Sequence, residues 1–227
     1  MNPVNKIFLR VMYGLAALLV VGAFAFKIFQ PIKVLPRIRL APAFSLTDQN
    51  GNRVTNEDLR GRIVLYTFTY THCPAPCYNI NATMREILAR RDEANLGDIP
   101  FTLVTISFDP ERDSPSVLRS YAQSLSADPA DWIFATSENT PLLKTIIGTG
   151  FEAYYSPNED GSFAFDPTFI LVDGWGVIRG EYRYTTEVST ADRVLRHLSV
   201  LADEVTNATG TAKLAYEAAH LFLCYAQ

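Results

Sequence analysis

Cysteine and histidine are scarce in this chain, which has three of each among 227 residues. Three cysteines are too few for a disulfide scaffold, and no Cys/His spacing matches a zinc finger. Basic charge is not in excess either: 20 Lys and Arg against 24 Asp and Glu give a net charge of -4. That balance offers no cationic surface for nucleic acid. A phosphate-binding loop is also missing, which argues against an ATPase. The length suits one substantial domain plus appendages.

Charge is absent from one long stretch. Residues 7–29 are almost wholly apolar, and 11–26 carry no charged side chain. With its flanks this run is long enough to cross ~30 Å of hydrocarbon, with Arg10 and Lys27 near the two interfaces. No small-x-small cleavage site follows, so the segment reads as an uncleaved transmembrane anchor over residues 1–30. Lys6 and Arg10 precede it, whereas Lys27, Lys33, Arg37 and Arg39 follow. Charge counting alone therefore places the C-terminal domain inside. A thiol site is more at home in an oxidising compartment, so the two arguments oppose each other.

Two of the few cysteines stand close together. In residues 62–79, RIVLYTFTYTHCPAPCYN, a β-forming run through Val64, Leu65, Tyr66, Phe68 and Tyr70 delivers Cys73 at the end of a strand. Pro74 and Pro76 fix φ, and the spacing predicts Cys77 in the first turn of a helix. Thiols at such a turn can close a disulfide, grip a soft metal ion, or serve as small core residues. A helix N-terminus would favour a thiolate there.

The remaining chain alternates strands and helices. Residues 31–42 form a proline-punctuated tether, and 44–55 a hairpin turning at Asn50-Gly51. Helix 79–94 places Ile80, Met84, Ile87 and Leu88 on one side. Strand 101–108 ends at the acidic turn DPERD, where Asp109 and Asp113 read as turn and cap residues and Arg112 as their ion-pair partner. Further strands are expected at 132–135 and 167–173, with 177–184 returning as an antiparallel edge strand, and helices at 115–125 capped by Ser114 or Asp113, at 141–147 capped by Asn139 or Thr140, and at 190–205. Residues 151–165 form a polar loop with aromatic ends that can fold over the cysteines. Beyond Gly210 an apolar helix carrying His220 and Cys224 reads as a docking helix. The expected fold is an α/β three-layer sandwich with an N-terminal β-hairpin, preceded by one transmembrane helix.

Three separated motifs then occur in order: FTYTHCPAPC at 68–77, DPERDSP at 109–115 and LVDGWG at 171–176. With them the chain resembles the Sco/SenC family of membrane-anchored, thioredoxin-like copper chaperones for cytochrome c oxidase assembly. The resemblance covers roughly residues 41–205 and divides the chain into anchor (1–30), tether (31–42), thioredoxin-like domain (43–206) and docking helix (207–227). It implies copper ligation by Cys73 and Cys77 and a distant histidine just before the LVD strand. Aligning that strand puts Phe165 at the histidine position, and Phe supplies no lone pair. His72 is a weak replacement candidate, Asp166 a hard ligand poorly matched to Cu(I), and His220 distant. Pro167-Thr168 resembles the cis-proline element that faces the cysteines in thioredoxin-like folds.

The resemblance implies a membrane-anchored protein associated with cytochrome c oxidase or a larger respiratory complex. It would act in copper-centre assembly by Cu(I) coordination or thiol-disulfide exchange at Cys73 and Cys77. A noncatalytic accessory subunit and a thiol-disulfide oxidoreductase are the other readings. The implied location is the bacterial inner membrane with a periplasmic domain, or the mitochondrial inner membrane facing the intermembrane space.

Overall fold

The computed structural model describes residues 3–29, 32–73, 75–183 and 190–222, with side chains not described at 3–6, 23, 25–29, 75–78 and 221–222. Helix α1 (Pro3–Phe29) precedes the domain. Strand β1 (Arg39–Leu40) follows, then the hairpin β2 (Ser45–Asp48) and β3 (Arg53–Thr55). Gly51 turns that hairpin at φ 82°, a left-handed value that glycine adopts without penalty. Asp48 Oδ1 accepts from the amides of Asn50 and Asn52 and fixes the turn.

Strand β4 (Ile63–Thr69) leads to α2 (Ala75–Ala89), a short 3-10 turn (Arg91–Ala94) and β5 (Phe101–Ser107). Helix α3 (Pro115–Ser124), β6 (Trp132–Thr136) and α4 (Thr140–Leu143) come next. The last of these widens into a π-type turn through Gly150. Ser114 caps α3 and Asn139 caps α4, each accepting from a backbone amide three residues on. A small hairpin, β7 (Tyr155–Pro157) with β8 (Phe163–Phe165), precedes β9 (Thr168–Val172), β10 (Val177–Arg183), α5 (Ala191–Asn207) and α6 (Ala212–Phe222).

The main sheet has the order β1-β10-β9-β4-β5-β6-β2-β3. Strands β4, β5 and β6 are parallel, while β9 runs antiparallel to β4 with Val64 opposite Val172 and Thr67 opposite Phe169. Contrary to the sequence expectation, β10 is not an edge, because β1 pairs with its outer side.

Alternation along the central strands explains the layers. Ile63, Leu65, Leu103, Phe169 and Leu171 face α2, α3 and α5. Val64, Tyr66, Phe68, Val104, Ile106 and Ile170 face α4 and the small hairpin. Every residue of β4, β5 and β9 is buried, as expected for strands covered on both sides. The three-layer α/β expectation is met in this thioredoxin-like sandwich.

The expectation of a transmembrane helix is not met. Among the described residues no helix is long and apolar enough to cross a membrane. Arg10 and Lys27 both lie within α1 and bound its uncharged stretch to residues 11–26, about 24 Å at 1.5 Å per residue against ~30 Å of hydrocarbon. The anchor, and the bacterial or mitochondrial inner-membrane location that rested on it, are corrected accordingly.

Helix α6 lies against α5. Ala219 is buried, His220 Nε2 is 2.9 Å from Glu204 Oε1, and Glu217 accepts two bonds from Arg37. Leu214 faces outward.

Candidate functional site

The site begins where β4 ends. Its apolar run forces an extended backbone through Thr69, and the chain then turns so that the Cys73 amide donates to Tyr70 O at 3.3 Å. Cys73 is half-buried and disulfide-bonded. Cys77 falls in the first turn of α2, as the spacing predicts. The Cys77 side chain and Cys224 lie outside the described residues.

His72, beside Cys73, is exposed, and its Nδ1 lies 3.1 Å from Thr71 Oγ1. Phe165 ends β8 and packs, together with Cys73, against both apolar clusters of the core. Its ring centroid is 5.3 Å from that of Phe108 and 6.2 Å from that of Tyr70. Phe163 completes the cover at 5.1 Å from both rings, and its amide donates to the Tyr70 hydroxyl. The 151–165 segment therefore lays aromatic rings beside the cysteine turn. Each such pair adds about 0.5–1.5 kcal/mol beyond area burial.

The acidic turn after β5 approaches from the other side. Asp113 has no exposed surface and accepts from the Thr71 amide (2.9 Å), the Thr71 hydroxyl and the Ser107 hydroxyl. Asp109 is buried too, with Oδ2 3.4 Å from Arg112 Nε in an ion pair that lacks hydrogen-bond geometry. Burial pushes its carboxyl above the usual carboxylate range, and Arg112 and His72 pull it partly back. Arg112 also donates to Gly161 O, tying the acidic turn to the β7–β8 loop.

Of the two residues that the sequence offers as the α3 cap, Ser114 takes it and Asp113 does not. Asp113 instead serves a loop 42 residues away. No local pattern marks that pairing. Asp166 pairs with Arg183 at 3.2 Å, and His220 sits with Glu204. The described backbone has no cis peptide, so the cis-proline expected at Pro167 is not found. Among the described residues, which leave out the Cys77 side chain, no three His, Cys, Asp or Glu side chains cluster to hold a metal ion. A disulfide sulfur is also a poor ligand, so copper could meet a thiolate here only after reduction. Clefts of about 410 and 450 Å³ flank the Arg91–Asp131 ion pair and do not include Cys73.

The SCO1/SenC family profile matches residues 34–199. A relative from Stutzerimonas stutzeri, named as a candidate copper-binding protein, is 30% identical over 166 residues, covering 72% of this chain and 79% of its own. Bradyrhizobium japonicum ScoI, solved with copper bound, is 28% identical at a TM-score of 0.56, covering 71% of this chain and 99% of its own. BsSco belongs to the Sco family of cytochrome c oxidase assembly proteins and has a disulfide switch. It shares the fold at a TM-score of 0.63 and 22% identity, covering 75% of this chain and 97% of its own. Copper handling and oxidase assembly are thus associations of the homologues. Fold, motif order and profile agree, and this chain belongs to the SCO1/SenC family.

Proposed function

We propose that this protein acts in assembly of the copper centre of cytochrome c oxidase by thiol-disulfide exchange at Cys73 and Cys77. The observation that carries this reading is the disulfide-bonded Cys73 on a half-exposed strand-to-helix turn. Cys77, three residues further on in the first turn of α2, is the partner sulfur in this reading.

In the reduced protein the Cys73 thiolate attacks one sulfur of a closed cysteine pair in the oxidase. One sulfur–sulfur bond breaks, a mixed disulfide forms, and one partner thiolate leaves. Cys77 then attacks Cys73 Sγ, closing the internal disulfide and releasing the second partner thiolate. The partner gains two electrons, the dithiol loses two, and solvent exchanges the protons. The freed thiols can accept copper. Cu(I) itself is cargo that two thiolates suit, whereas Phe165 in the place of the family histidine disfavours Cu(II).

A Cys77→Ser variant, reduced and offered a peptide with a closed cysteine pair, should accumulate a mixed disulfide at Cys73, visible by mass. Absence of the adduct under conditions where free dithiothreitol opens the same peptide would defeat this function. It would leave the accessory-subunit reading, which the packing of Cys73 and Phe165 against the same apolar clusters favours.

A further inference from the structure

Within the cysteine turn the Cys73 amide donates to Tyr70 O, and a second tie holds the turn from the acidic loop after β5. The nearest fixed point is Thr71, two residues before Cys73, whose amide and hydroxyl both donate to the Asp113 carboxylate, one to each oxygen. The Oδ2 that takes the amide also takes the Ser107 hydroxyl from the end of β5. Asp113 is itself anchored, since its amide donates to Asp109 O at 2.9 Å and it has no exposed surface. A buried carboxylate filled by hydroxyl and amide donors is a rigid clamp, because each donor lost leaves a buried acceptor unpaired.

We infer that Asp113 is a positioning residue for the thiol pair: by clamping Thr71 it fixes the turn that holds Cys73 against α2, and so sets the dithiol–disulfide equilibrium. This role rests on the exchange reading above. Charge is not the means. The clamp acts on the approach of the two sulfurs, so loosening it makes the disulfide less favourable relative to the dithiol.

The test equilibrates the full chain with glutathione and glutathione disulfide. In that reaction the glutathione sulfur–sulfur bond breaks, the internal disulfide forms through a mixed disulfide, and two glutathione thiolates leave with the protons that the cysteines give up. Thr71→Val removes one donor while keeping shape and the Asp113 charge. It should lower the equilibrium constant for disulfide formation about tenfold, or ~30 mV for two electrons. Thr71→Ser, which restores the hydroxyl, should return to within twofold of wild type. Asp113→Asn should move the same way, and the Thr71→Val/Asp113→Asn double variant should move no further than Asp113→Asn alone.

Ser114→Ala is the control. It removes the α3 cap next to Asp113, weakening the fold without touching the turn. Its equilibrium should stay within twofold of wild type. The role is overturned by an unchanged equilibrium in Thr71→Val, or by an equal shift in Ser114→Ala, which would show general loosening. A wild type that never exchanges with glutathione disulfide removes the function itself, and this role with it.

Discussion

Strand β9 runs between two polar assemblies of opposite design. Just past its C-terminal end, Asp173 meets Arg179, and Arg179 is buried at 1% exposure. Its guanidinium donates to Asp173, Glu204, Leu35 O and Pro36 O, so sheet, α5 and the tether close on one cation. Glu204 then reaches His220 on α6. Near the N-terminal end of β9, the Cys73 turn is half-exposed and held by the Asp113 carboxylate, which finds only hydroxyl and amide donors among the described contacts. One end neutralises charge and immobilises four segments. The other leaves a sulfur within reach of solvent and fixes only the approach to it. The difference teaches where rigidity closes the fold and where it leaves a sulfur accessible.

Arg179→Met tests that division most severely. It strands two buried carboxylates, which costs about 3–5 kcal/mol. Urea unfolding should show that loss, while the reduced Cys73 of the folded fraction keeps its wild-type exchange rate. A change in exchange rate would mean that the two ends are coupled. Phe165→His tests the cysteine end. It should add an imidazole beside the thiols and raise Cu(II) affinity at least tenfold, or ~1.4 kcal/mol, read by titration of the thiolate-to-copper absorption. An unaltered titration would show that the ring is not directed at the thiols.

A smaller effect is expected at Asp109. Burial makes its folded carboxyl hold a proton at higher pH than the unfolded chain does. The charged form therefore costs stability, a cost absent in acid where both states are protonated and growing as pH rises through the carboxylate range. Asp109→Asn should accordingly gain thermal stability relative to wild type between pH 3 and pH 7. A gain that shrinks over that interval would contradict the sign. His72→Ala should have the least effect, within about 0.5 kcal/mol by urea unfolding, because His72 is exposed.

The layered fold was legible because alternation in β4, β5 and β9 writes both buried faces directly into the chain. The caps at Ser114 and Asn139 and the Asn50-Gly51 turn were legible for a similar reason, since their partners lie within a few residues. The two polar assemblies were not. Arg179 looks like a solvent-facing residue in the run Val177–Arg183, and its partners come from sequence positions 35, 36, 173 and 204. Asp113 meets Thr71 across 42 residues. Apolar residues at 11–26 suggested a spanning helix from composition alone, but among the described residues no helix is both long and apolar enough to cross a membrane.

The exchange account is tested most directly in cells whose own copy is replaced by the Cys73→Ser/Cys77→Ser double variant. At equal protein level, the account predicts loss of copper from the oxidase and of its activity. Full oxidase activity with a normally loaded copper centre would contradict it.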